Sequence, residues 1–98
     1  MTRKTLKEYA KKYPMAENAL FEWYHDFIHY DFESFNELRD IYAKASLVGD
    51  DRVVFNIMGN KFRLVVRIVF EYKAVQIKWF GTHSEYDKID VSVIQFKK

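Results

Sequence analysis

The sequence predicts an α+β domain in which an N-terminal helical hairpin packs on a twisted antiparallel β-sheet. Three observations carry this expectation. Apolar residues recur at three- and four-residue spacing through the first third of the chain. After Val53 they recur at two-residue spacing, and the period changes at the turn-like Gly49-Asp50-Asp51. The length of 98 residues fits a single domain, 1–98, and 49% hydrophobic with 18% aromatic content is enough to fill a core.

In the first predicted helix Leu6, Tyr9, Ala10 and Tyr13 form one apolar stripe. Pro14 stops that helix and suits the first turn of the next. There Ala16, Ala19, Leu20, Trp23 and Phe27 share a face, which predicts a helix to about His29 or Tyr30. Ser34-Phe35-Asn36-Glu37 has the form of a capping box, so a short third helix with Phe35 and Leu38 inward is expected. Residues 42–48 show no consistent period. Val53, Phe55 and Ile57 then alternate with Val54 and Asn56, and Met58-Gly59-Asn60 makes a tight connection. In the second strand Phe62, Leu64, Val66, Ile68 and Phe70 point one way, and Arg63, Val65, Arg67 and Val69 the other. Glu71-Tyr72-Lys73-Ala74 turns the chain. The third strand is predicted with Val75, Ile77 and Trp79 on one face and Gln76, Lys78 and Phe80 on the other. Val91, Val93 and Phe96 can finish as a strand or as a short helix.

Composition excludes several chemistries. There is no cysteine, hence no thiol nucleophile, no Cys-ligated zinc and no disulfide framework. No window has the ~18 uninterrupted apolar residues of a membrane span, and the Met-Thr-Arg-Lys start lacks an apolar signal core. A cytoplasmic location without membrane contact is expected. Net charge is only +2 but unevenly spread. Residues 1–13 carry five basic groups against one acid (+4), residues 17–40 one against seven (−6), and residues 52–98 nine against four (+5). A basic sheet on an acidic helical layer suits polyanions on one face.

The chemistry-bearing residues cluster late in the chain. Arg63 and Arg67 fall on one strand face, at an expected ~7 Å near the phosphate spacing of an extended single strand. Lys78 joins them if the register allows. Charged residues alternate with apolar ones on any wet sheet face, so the arginines alone favour that simpler reading. Gly81 is read as freeing the backbone at the strand end, and Thr82-His83-Ser84-Glu85-Tyr86-Asp87 follows. Cleavage of RNA without metal needs a base for the 2′-hydroxyl, a donor for the leaving 5′-oxygen and a cation at the phosphate. An imidazole such as His83 serves as base or acid. Tyr86 shares its side if the segment turns helically, and its phenol can hydrogen-bond a phosphate, stack on a base or give up a proton. Glu85 and Asp87 are weaker candidates for a base or for orienting His83. For Asp87 a helix cap or a salt bridge to Lys88 is preferred. His25 and His29 have the i, i+4 spacing of a two-histidine metal site but no convincing third ligand, so no metal is expected.

Val54-Phe55-Asn56-Ile57 with Gly59-Asn60, Phe62-Arg63-Leu64-Val65-Val66, and Gly81-Thr82-His83-Ser84-Glu85-Tyr86-Asp87-Lys88-Ile89-Asp90 closely resemble the HigB toxins. These are mRNA interferases of the RelE superfamily, from bacterial type II toxin–antitoxin modules. The resemblance is specific over about residues 52–90 and extends more loosely to Lys12-Tyr13-Pro14. It implies a RelE-like fold and a toxin that cuts mRNA in the A site of the 30S ribosomal subunit. The implied chemistry is attack by the 2′-hydroxyl, without metal or cofactor. It also implies a HigA-type antitoxin with a helix-turn-helix, through which alone operator DNA is contacted. Arg63 falls on the strand arginine used at the scissile phosphate, His83 where relatives carry a catalytic basic residue, and Tyr86 on an aromatic position that contacts mRNA. Lys61 and Asn56 fall near positions where other members place basic side chains. Asn56 is not basic, which favours His83 or a carboxylate as the base. Two alternatives stand beside this reading: a catalytically inactive RNA- or protein-binding module on the same fold, and a free-standing RNase.

Overall fold

A computed structural model describes residues 3–49 and 51–89. Its first helix, α1 (Arg3–Lys12), buries Leu6 and Ala10 and half-buries Tyr9 and Tyr13. Pro14 opens a 3₁₀ turn over Pro14–Ala16, where its missing N–H leaves no helical bond unmade. The turn leads into α2 (Glu17–Phe27), which buries Leu20, Trp23 and Phe27. α2 ends earlier than expected, because the next amides switch to tighter bonds, His29 N–H to the Asp26 carbonyl and Tyr30 N–H to that of Phe27. Ser34 caps α3 (Phe35–Ile41), its hydroxyl accepting the Glu37 N–H at 3.3 Å. The expected reciprocal bond is displaced by one residue: Glu37 accepts the N–H of Glu33 at 3.0 Å.

Four strands follow in simple antiparallel order: β1 (Ser46–Val48), β2 (Arg52–Ile57), β3 (Phe62–Val69) and β4 (Ala74–Thr82). β1 lies in the stretch that had no readable period. It has three residues on a sheet edge, too few for alternation to register. Val53, Phe55 and Ile57 of β2 join Phe62, Leu64, Val66 and Ile68 of β3 in one core with Leu6, Leu20, Trp23, Phe27 and Leu38. Trp23 stacks on Phe27 at 4.9 Å and tilts against Phe55 at 5.1 Å. This is the α+β, RelE-like arrangement, with the helices on one sheet face.

Two strand assignments change. Val65 pairs with Trp79 but Val66 pairs with Ile77, so Lys78 is an extra residue in a β-bulge. The bulge breaks the two-residue alternation. Phe80, not Trp79, joins Ile77 in the core, and Trp79 packs with Val54 and Val65 on the other face. Phe70 belongs to a 3₁₀ turn over Phe70–Tyr72, although it still packs on the core. The turn closes on Lys73 at φ +56°, a left-handed conformation that glycine adopts more readily. Its ammonium holds Asp31 at 3.0 Å, Glu33 at 2.9 Å and the Phe32 carbonyl at 3.0 Å. Val91, Val93 and Phe96 lie outside the described residues. Among those described, no helix is long and apolar enough to cross a membrane.

Candidate functional site

The chain leaves β4 into a single helical turn, α4 (His83–Tyr86), built by local chemistry. The Thr82 hydroxyl accepts the Glu85 N–H at 3.1 Å, and the Glu85 carboxylate accepts the Thr82 N–H at 2.9 Å. This is a complete capping box. The Tyr13 hydroxyl donates to the same carboxylate at 2.7 Å, tying the end of α1 to α4. The Thr82 amide bond first, and the Tyr13 phenol next, hold the Glu85 carboxyl below the usual range. Burial first, then the bond to Glu85, pushes the Tyr13 phenol up to about 12. Glu85 is therefore a structural acceptor, its Oε1 taking the bonds from Tyr13 and Thr82. On the other side the His83 N–H donates to the Lys61 carbonyl at 2.9 Å, which seats α4 against the start of β3.

Gly81 serves this seating through space. A Cβ there would lie 2.7 and 2.8 Å from Trp79 ring atoms and 2.8 Å from the Glu85 carboxylate. The close approach of Trp79 and Glu85 requires the glycine, in place of the backbone freedom expected from sequence.

Arg63 stands on β3 between Asn56 of β2 and Gly81 of β4. Its guanidinium lies 2.9 Å from His83 Nδ1 and 2.8 Å from Asn60 Oδ1, with longer bonds to the carbonyls of Asn60 (3.2 Å) and Phe62 (3.3 Å). The guanidinium carbon is 5.9 Å from the Tyr86 ring centre. The other imidazole nitrogen of His83, Nε2, is 3.1 Å from Asp87 Oδ2. Tyr86 tilts against Trp79 at 6.1 Å. Burial raises the Tyr86 phenol more than nearby Arg63 lowers it, with Asp87 adding to the rise. Of the three roles open to this phenol, proton release is thus the disfavoured one, and it stays a hydrogen-bond donor. The side chains of His83 and Asp87 are 43% and 61% exposed, so the cluster is open to a large ligand.

Arg63, His83 and Tyr86 are therefore neighbours. Asn56 borders them across the β2–β3 ladder, and Lys61 touches them through its backbone. Arg67 does not join. Four residues at ~3.3 Å each separate it from Arg63 by ~13 Å along β3, about twice the expected separation. Its Nε is bound to Asp51 at 2.6 Å, and it sits opposite Arg52. Lys78 occupies the bulge, away from any regular pair with Arg63 or Arg67. Asp87 is at the C-terminal cap of α4, but its carboxylate turns to His83, not to Lys88. His25 and His29 are exposed, and no metal-holding group of three or more ligands exists among the described residues. Sequence reasoning missed Asn60, which was read only as a turn residue, and Trp79, which was placed on the wrong face. For Glu85 the signal was present: Thr82-x-x-Glu85 is a capping box in the sequence itself.

The fold is of the RelE-like class, and comparison with known proteins makes the family specific. The model of the HigB toxin family, described as the RelE-like toxic component of a toxin–antitoxin system, matches residues 16–89. The chain belongs to that family. It is similar to the mRNA interferase toxin HigB of Escherichia coli K12, with 30% identity over 89 residues that cover 89% of this chain and 86% of the relative. The mRNA interferases HigB of Escherichia coli O157:H7 and Shigella flexneri match with the same identity and coverage. As the toxic component of such a system, the chain has an antitoxin as its partner.

Proposed function

We propose that this toxin is an endoribonuclease that cuts mRNA in the A site of the 30S ribosomal subunit and so stops translation. The observation that carries the proposal is the convergence of Arg63, His83 and Tyr86 at the open junction of β3 and α4. The reaction needs a base, a cation and a phosphate-contacting donor within one site, and these three side chains supply them. His83 takes the proton from the 2′-hydroxyl. The 2′-oxygen bonds to the adjacent phosphorus and the bond to the 5′-oxygen breaks, leaving a 2′,3′-cyclic phosphate and a 5′-oxyanion that takes a proton from solvent water to become a 5′-hydroxyl. Arg63 stabilises the charge on the pentavalent phosphorane, and its cation makes a metal unnecessary for this step. Tyr86 donates to the phosphate or stacks on a base.

The base is assigned to His83 because the competing carboxylates are engaged. Glu85 is held by Thr82 and Tyr13, and Asp87 lies behind the imidazole. Asn56 and Lys61 flank the phosphate path. Arg67 and Lys78 serve the wider basic surface, outside the reacting centre. A net charge of +2 gives weak attraction for free RNA, which favours delivery of the substrate by the ribosome. The partner antitoxin is of the HigA type, with a helix-turn-helix through which operator DNA is reached. Cytoplasmic residence follows from the ribosomal target.

The test is cleavage mapping in a purified translation reaction with and without ribosomes. Cuts confined to A-site codons and present only with ribosomes are expected. Cuts on free RNA would make the protein a free-standing RNase. No cuts in either reaction, from folded protein, would make it an RNA- or protein-binding module.

A further inference from the structure

A guanidinium can only donate hydrogen bonds, so Arg63 at 2.9 Å fixes His83 Nδ1 as an acceptor. The ring proton of the neutral imidazole is then on Nε2, which faces Asp87 Oδ2 at 3.1 Å. Both ring nitrogens are thus accounted for by partners of matching sense. One partner comes from β3 and the other from the last turn of α4. The groups that face this imidazole are Arg63 and Asp87, Tyr86 lies against Arg63, and the Lys61 carbonyl holds the His83 backbone.

We infer that Asp87 is the positioning residue of the base. It holds Nε2–H of His83 so that Nδ1 is turned toward β3, where Arg63 covers it until a substrate phosphate draws the guanidinium away. The inference rests on the proposed ribonuclease reading and deepens it. A phosphate offers Arg63 two anionic oxygens, a stronger and better matched partner than one neutral imidazole nitrogen. Binding of the scissile phosphate therefore exposes the lone pair that accepts the 2′-hydroxyl proton. As Nδ1 takes that proton the ring becomes a cation, and the Asp87 carboxylate already lies against it. Asp87 itself touches neither the phosphate nor the sugar in this arrangement. Its effect passes entirely through His83.

The experiment is ribosome-dependent cleavage by the full chain, comparing wild type, Asp87→Asn, Asp87→Glu, His83→Gln and the double variant His83→Gln/Asp87→Asn. Asp87→Asn should lower kcat by about 10- to 100-fold, a fraction of the total a positioned base supplies, with KM unchanged. Asp87→Glu should recover part of the rate. In the His83→Gln background the second substitution should add nothing. Unchanged kcat in Asp87→Asn, or an equal loss with and without His83, overturns the role of Asp87 while leaving the ribonuclease reading intact. A wild-type protein that cuts nothing overturns both. Asp87 is exposed and its backbone bonds are kept in every variant, so folding is checked simply by melting temperature.

Discussion

Replacing Gly81 by alanine tests how the site is built, because a single methyl group meets both of the structures that hold α4. The added Cβ would lie 2.7 Å from one Trp79 ring carbon and 2.8 Å from another. Ordinary carbon contacts are ~3.5–4.0 Å, so the ring must retreat by at least ~0.8 Å. The same Cβ would lie 2.8 Å from Glu85 Oε1, which accepts bonds from Tyr13 at 2.7 Å and the Thr82 amide at 2.9 Å. Overpacking of this kind costs ~1–3 kcal/mol, and loss of a helix cap ~1 kcal/mol if Glu85 yields instead. We expect a loss of about 2 kcal/mol, which for a domain of this size lowers Tm by roughly 8–16 °C. Thermal unfolding followed by circular dichroism reads this directly. Trp79→Leu removes the two ring carbons involved, so it should cost less in the Gly81→Ala protein than in wild type. A coupling of ~1 kcal/mol or more in that cycle is the signature of contact. A Tm within about 2 °C of wild type, or strictly additive substitutions, would refute the close approach of Trp79 to Gly81.

Arg63→Ala should lower mRNA cleavage by ~10²–10³ while leaving Tm nearly unchanged, as removal of one positioned charge donor does; normal toxicity of the variant in growing cells would remove Arg63 from the site. Trp23→Ala should destabilise by ~3–5 kcal/mol, since its ring is buried between Phe27 and Phe55; an unchanged denaturation midpoint would show that the ring is not part of the core. Glu85, whose carboxyl is held below the usual range, stabilises the fold above the ordinary glutamate pKa of ~4.3. That contribution is lost as pH falls through the lower folded-state value. Tm measured from neutral pH into acid should therefore separate wild type from Glu85→Gln near neutrality and bring them together at the acid end. Parallel curves would show that the capping carboxylate has no linked proton.

Local periodicity settled much of the architecture. The stripe through Leu6, Leu20, Trp23 and Phe27, the Pro14 break and the alternation of Phe62, Leu64, Val66 and Ile68 are short-range patterns, and each matched its element. The capping signals at Ser34 and Thr82 are likewise contained within four residues. β1 was not legible because three residues on an edge carry no period. The faces of Trp79 and Phe80 were misread because the residue types of one strand do not say where a bulge shifts its alternation. The bulge exists only in the pairing of β4 with β3.

The candidate site divides in the same way. Sequence alone picked out Arg63, His83 and Tyr86 as candidates by their chemistry and by their place in a recognisable pattern, and it put Tyr86 on the side of His83 only if the segment turned helically. It did not determine which of the basic residues meet. Arg67 was drawn off by Asp51, Lys78 was displaced into the bulge, and Asn60 was recruited to hold Arg63. The pairing of Asp87 with His83 is a local i, i+4 contact, but the meeting of that imidazole with Arg63 was decided only when α4 seated on β3. The physical reason is one of range. Helix, strand and cap signals arise from neighbours in the chain, whereas hydrogen bonds between charged side chains depend on strand register and on how one element seats against another.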